Sequence, residues 1–115
     1  MRLKSEIWVK AYVRRMSAGG QPAYIVRHGD DDAGAIFIRI NYLDGTSALF
    51  GPAPTGLSGT ETERRWLPFL KGERRTDVEV DTYLEREHRN DPDLWIIEVE
   101  GRDGAHGLEG WLSEE

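Results

Sequence analysis

AIFIRINYLDGTSALF, residues 35–50, is the stretch on which the reading of the fold turns. Ile36, Ile38 and Ile40 recur at every second position, the period of a strand with one apolar face. Asp44-Gly45 then stands between Leu43 and Thr46, the pattern of a two-residue type I′ hairpin turn, which needs positive φ at both central residues. With that turn Leu43 faces Thr46 and Ile40 faces Leu49, so a further apolar residue extends the isoleucine face. The opposite face then carries Phe37, Arg39 and Phe50, with Arg39 directly across from Phe50 in position for a structural cation–π contact.

Upstream of the hairpin, AYIVR (Ala23–Arg27) reads as a strand that leads into the polar turn HGDDDAG. The first element has two competing periods. Trp8, Ala11, Tyr12, Arg15 and Met16 follow helical spacing, whereas Ile7, Val9, Ala11 and Val13 alternate. Gly19-Gly20 and Pro22 make a good stop signal, and a helix from Ser5 to Ala18 is expected.

Downstream, GPAPTGLSG (Gly51–Gly59) has the glycine spacing of a phosphate-binding loop. Leu57 stands where that loop needs its lysine, and Pro52 and Pro54 have no N–H to give, so the stretch reads as a glycine/proline turn. RRWLPFL reads as a short or irregular edge strand, because Pro68 cannot donate to a ladder. Thr76-x-x-Glu79 forms a capping box, and the spacing of Val80, Tyr83, Leu84 and Glu87 predicts a helix over Asp77–His88, closed by Asn90-Asp91-Pro92. LWIIEVE reads as a strand with apolar residues on both faces, hence central. Gly101, Gly104, Gly107 and Gly110 mark residues 101–115 as a loose tail, with Trp111 able to dock on the body.

The element order α-β-β-β-(β)-α-β predicts one α+β domain over residues 1–115. Its mostly antiparallel sheet has four to five strands, with two helices in a single layer on one face.

Composition narrows function by exclusion. The 115 residues are 38% hydrophobic and 31% charged, a soluble globular balance. The absence of cysteine removes disulfides, thiol catalysis and thiolate metal sites. No stretch approaches the roughly twenty apolar residues of a membrane span, and the N-terminus lacks the apolar run of a signal peptide, so the expected location is cytoplasmic. With 21 acidic and 15 basic residues the net charge is -6, which argues against nucleic acid as the partner. The arginine pairs Arg14/Arg15, Arg64/Arg65 and Arg74/Arg75 read as solvated, ion-paired surface.

The succession AYVRR, VRHGDDDAGAIFIRI, LFGPAP, RW and DPDLWIIEVE resembles a small bacterial family catalogued as a domain of unknown function, number 1491. The resemblance covers Leu3 to Asp103 and implies a small, stand-alone cytoplasmic bacterial protein. It supplies no activity, substrate or site residue.

Two functional readings follow from the residues. The favoured one is a non-enzymatic interaction or regulatory module that meets a protein partner, or a second copy of itself, through a sheet edge or an aromatic patch, with Arg27, Arg39, Trp66 and Trp95 as candidate contact residues. Trp66 and Trp95, like Trp8, sit inside periodic elements and read equally as core anchors. The alternative is a small ligand- or metal-binding enzyme with its site at the turn His28–Asp32, where His28, Asp30 and Asp32 are the candidate ligands. That turn fails as an EF-hand, since Ala35 and Asn41 stand where glycine and glutamate are required. Glu85-x-x-His88 and the pair Glu98/Glu100 read as surface charge, and GLSGT at Ser58 lacks the last glycine of a nucleophile elbow. No cofactor is indicated.

Overall fold

The computed structural model describes residues 3–54 and 64–113. Helix α1 (Ser5–Ala18) is followed by strands β1 (Ala23–Arg27), β2 (Ile36–Asn41), β3 (Thr46–Pro52), β4 (Trp66–Pro68) and β5 (Arg75–Thr76). Helix α2 (Asp77–Asn90) and strand β6 (Trp95–Glu100) follow, with short 3-10 turns at Leu70–Gly72 and Glu109–Trp111. The sheet order is β1-β6-β2-β3-β4, with β5 paired to β3. Only β6 and β2 run parallel among the strand pairs described, so the fold is α+β with a mostly antiparallel sheet, of six strands rather than four to five.

β6 is an interior strand between β1 and β2, as its two-faced apolar run requires: Trp95, Ile97 and Val99 point one way and Ile96 the other, all buried. That same run overturns the single helical layer. Trp8, Val9, Tyr12 and Met16 of α1 cover the face built by Ile36, Ile38, Ile40 and Ile97, while Val80 and Leu84 of α2 cover Phe37, Leu49 and Ile96 on the opposite face. Two apolar faces need two covers, and one helix goes to each.

The hairpin forms in a different register from the expected one. Ile38 pairs with Phe50, Arg39 with Leu49 and Ile40 with Ala48. The connection is the three-residue loop Leu43–Gly45, with positive φ at Leu43 (63°) and Gly45 (89°) rather than at Asp44 and Gly45. A slip of one residue exchanges the faces of the second strand. Phe50 therefore joins the isoleucine face, Leu49 lies beside Phe37, and the expected Arg39–Phe50 contact does not form. The loop is set by its surroundings: the Asn41 side chain accepts from Leu43 N–H (2.8 Å), Asp44 accepts from Thr46 N–H (3.0 Å), and Gly45 C=O accepts from Asp77 N–H (2.9 Å). The last of these bonds ties the tip to α2, and the pairing of Thr46 with Thr76 ties it to β5, so tertiary pairing outweighs the local Asp-Gly preference.

The two helices start differently. α2 runs two residues past its expected end and carries the capping box that its sequence announces, Thr76 with Glu79. α1 has no side-chain cap; Ser5 N–H and Glu6 N–H donate instead to the carbonyls of Asp32 (3.2 Å) and Asp31 (2.9 Å). The glycine-rich tail, expected to be loose, is tied down. Tyr12 O–H donates to His106 C=O (2.6 Å), Leu108 is fully buried, and Ser113 N–H donates to Trp66 C=O (2.9 Å). The glycine/proline loop is described only as far as Pro54, so Thr55–Gly59 and the Ser58 motif lie outside the described residues.

Candidate functional site

Strand β1 is one edge of the sheet, and its side chains are open: Tyr24 is 47% and Val26 57% exposed, with Ile25 between them also exposed. Glu100 N–H donates to Pro22 C=O (2.9 Å), which fixes the phase of the β1–β6 ladder. In an antiparallel pair the bonded positions alternate, so Ala23 and Ile25 turn their N–H and C=O groups away from β6. The register shifts between Ile25 and Arg27, a bulge that leaves Val26 and Arg27 together opposite Ile96 and turns both toward the α2 face.

There they wall a cleft of about 420 Å³ between the sheet edge and α2, together with Leu84, Ile96, His88 and Arg89. The cleft exists because α2 covers the β2–β3 side of this face and leaves the β1–β6 side open.

Arg39 forms part of the cleft floor and is 8% exposed. Its guanidinium is ion-paired with Asp81 and with Asp77 (3.3 Å), approaches Glu98 (3.9 Å), and donates to Ser47 Oγ (3.1 Å). Burial acts to lower its pKa, and the Asp81 hydrogen bond with the surrounding carboxylates reverses this, so the group stays charged. Asn41 Nδ2 donates to Glu98 (3.1 Å), and Tyr24 O–H donates to Glu100 (3.0 Å). The Glu98/Glu100 pair is thus engaged in holding the sheet, and the hydrogen bond to Glu100 raises the Tyr24 pKa. Arg39 is a staple between α2 and the sheet, and Arg27 is the member of the expected contact set that stands exposed at the cleft.

Trp66 and Trp95 belong to the core, at 1% and 0% exposure, which settles their two readings against surface contact. Their indoles donate to Ile36 C=O (2.9 Å) and Asp30 C=O (2.8 Å). Arg74 pairs with Asp44 and Arg75 with Glu73 and Glu79, as ion-paired surface requires, whereas Arg15 donates to Gly107 C=O, Arg64 to Ser5 Oγ and Arg65 to Gly110 C=O.

The turn at His28–Asp32 is built more firmly than a solvated loop. Asp30 Oδ2 accepts from Asp32 and Ala33 N–H, Asp30 N–H donates to Asp93 C=O (2.9 Å), and Ser5 Oγ donates to Gly34 C=O (2.7 Å). A side chain at Gly29 or Gly34 would meet the Asp93 carbonyl at 2.3 or 2.4 Å, so the close approach of the two segments demands glycine. Asp30 and Asp32 are therefore not the residues that gather at His28: one caps the turn, and the other pairs with Lys4 (3.6 Å). His28 Nε2 lies 2.7 Å from Asp31 Oδ1, and Glu6 of α1 completes a group whose ligating atoms all fall within 4.8 Å of one another. His88 lines the cleft on the other face and does not join His28. Glu6 was beyond the reach of sequence reasoning, since it lies far upstream and arrives only through the docking of α1 on the turn.

Residues 3–109 match the family model described as a protein of unknown function, DUF1491. The chain belongs to the DUF1491 family. A DUF1491 protein from Caulobacter crescentus CB15 is similar in its crystal structure, with 36% identity, a TM-score of 0.79, and coverage of 99% of this chain and 100% of that one. The NMR structure of a DUF1491 protein from the same organism gives 37% identity, a TM-score of 0.79, and coverage of 99% of each chain. A protein from A. tumefaciens, solved in solution, gives 43% identity and a TM-score of 0.75 over 87% of this chain and 86% of that one. No curated protein matches significantly. Among the described residues no helix is long and apolar enough to cross a membrane. The family resemblance seen in the sequence thus holds for this DUF1491 chain, and it carries a fold without an activity.

Proposed function

We propose that the protein is an interaction module whose edge strand β1 accepts an extended segment of a partner protein as an added strand. The observation that carries this reading is the edge itself: Ala23 and Ile25 present outward backbone groups beside the exposed side chains of Tyr24 and Val26. Strand addition draws affinity from main-chain bonds and specificity from pockets for alternate side chains. The cleft next to Val26 and Arg27 supplies such a pocket, with apolar walls from Leu84 and Ile96 and the Arg27 cation at its mouth. Natural sheet edges are ordinarily blunted by charge, proline, cover or a bulge; among the described residues Tyr24-Ile25-Val26 has none of the first three, and its bulge lies past Ile25, leaving the outward groups of Ala23 and Ile25 in the regular part of the strand.

The test compares the wild-type chain with Ile25→Pro, which deletes an outward N–H without touching the β1–β6 ladder, and with Val26→Lys. The expected result is a partner held by the wild type and released by both variants, with the β1 amides protected from hydrogen exchange in the complex. A partner held equally by the variants, or protection elsewhere, overturns the assignment. Concentration-dependent dimerisation abolished by the same changes would give the edge to a second copy of this chain instead.

A further inference from the structure

We infer that Glu6, His28 and Asp31 form a binding site for a divalent first-row transition-metal ion, separate from the strand edge. The three side chains offer one imidazole nitrogen and two carboxylate oxygens, all within 4.8 Å of one another. Such a set suits Mn²⁺, Fe²⁺, Co²⁺ or Zn²⁺ better than the all-oxygen shells of Ca²⁺ and Mg²⁺. With metal–ligand bonds of about 2.0–2.2 Å, neighbouring ligand atoms stand about 3–3.5 Å apart. His28 Nε2 and Asp31 Oδ1, at 2.7 Å, are already near that separation. Glu6, on a partly exposed side chain, closes the remaining gap by rotation about its own bonds.

The frame behind these ligands is fixed from several directions. The His28 ring lies against Trp95 with centroids 4.1 Å apart, which orients the imidazole. Trp95 in turn donates to Asp30 C=O, so the next turn residue is anchored to the core. Glu6 N–H donates to Asp31 C=O, which locks the helix carrying one carboxylate to the backbone carrying the other. His28 and Asp31, held in this way, lose little freedom on binding, and the ordering cost falls on the Glu6 side chain. Two carboxylates converge here against one nearby ammonium, Lys10 at 3.2 Å from Glu6, while Lys4 is directed to Asp32. An ion inserting at this point replaces the hydrogen bond between His28 and Asp31. The Nε2 lone pair must then face the metal, and any proton shared with Asp31 passes to Nδ1 or to solvent. Water fills the remaining coordination positions, because all three ligands lie at the surface.

The test uses the full chain, stripped with a chelator and titrated with Co²⁺ while visible absorption and tryptophan fluorescence are followed, then with Zn²⁺ and Mn²⁺ by calorimetry. One equivalent is expected to bind, with quenching of Trp95 by Co²⁺. His28→Phe, which keeps the ring against Trp95 and removes both nitrogens, and Asp31→Asn should each abolish binding, and Glu6→Gln should weaken it by at least about tenfold. Asp32→Asn and His88→Ala should bind as the parent does. The inference is overturned by an absence of binding below about 1 mM for all three ions, by binding that survives His28→Phe, or by binding lost in Asp32→Asn or His88→Ala.

Discussion

α1 and α2 are equally long, lie on opposite faces of one sheet, and are held there by different physics. α1 buries Trp8, Val9, Tyr12 and Met16 in an aromatic core with Trp66 and Trp95, and borrows the cap for its first turn from a distant loop. α2 caps itself, buries little more than Val80 and Leu84, and reaches the sheet through the Arg39 network. The difference teaches where this fold keeps its stability and where it keeps open surface. The α1 face is closed by large side chains, and the α2 face ends in a cleft beside an unpaired edge.

The strongest way to break that contrast is Trp66→Ala. It empties a fully buried site where the indole packs on Trp8 at 4.4 Å, and should cost about 3–5 kcal/mol in urea unfolding. An effect below about 1 kcal/mol would mean that the α1 face is not the stability centre. Gly29→Ala comes next. Its Cβ would fall 2.3 Å from the Asp93 carbonyl, so the turn must shift and withdraw the carbonyls that cap α1, at about 2–3 kcal/mol. Faster hydrogen exchange at the first turn of α1, with α2 unchanged, would show that the cap is borrowed. Thr76→Ala is the matching experiment on α2 and should cost about 1 kcal/mol, confined to that helix.

How the two starts were encoded explains what could be read from the sequence. Thr76 and Glu79 stand three residues apart, so the cap of α2 was legible, as were the span of α1, the edge role of Pro68 and the central place of β6. The cap of α1, the side of the sheet each helix takes and the hairpin register all depend on partners far along the chain. Leu43 at φ 63° shows the limit well: no local rule puts leucine in the left-handed region, and the loop that holds it there, bonded within itself through Asn41 and Asp44, is anchored by Asp77 of α2 donating to Gly45 C=O. At the candidate sites the residue types were legible and their grouping was not. Asp30 and Asp32 read as ligands because they follow His28 in the same turn, yet the carboxylates beside the imidazole are those of Asp31, which lies between them, and of Glu6.

The smallest expected effect at neutral pH sharpens the comparison at alkaline pH. Each helix carries a tyrosine with a raised pKa: burial holds Tyr12 of α1 well above its usual value, and burial with the Glu87 hydrogen bond pushes Tyr83 of α2 up to about 12. A phenol that ionises near pH 10 when unfolded but later when folded lends stability that is complete below about pH 10 and lost as pH rises through the folded value. Unfolding midpoints should therefore decline above about pH 10. Tyr12→Phe should flatten that decline more than Tyr83→Phe, because Tyr12 is the more deeply buried of the two. Equal slopes would contradict the contrast between the two faces.

The insertion of β6 between β1 and β2 bears on how the chain reaches this structure. β1 and β2 are consecutive in sequence and do not pair; the strand that joins them, β6, ends at Glu100. As the chain leaves the ribosome, the first half can build α1 and the β2–β3 hairpin, but the sheet has a gap at its centre until the last strand arrives. Closing that gap pairs β1 antiparallel with residues 69 to 76 positions further on and β2 in parallel with residues 59 positions further on. Such long-range closure is slow relative to local helix formation, so the docking of β6 is the expected rate-limiting event in folding.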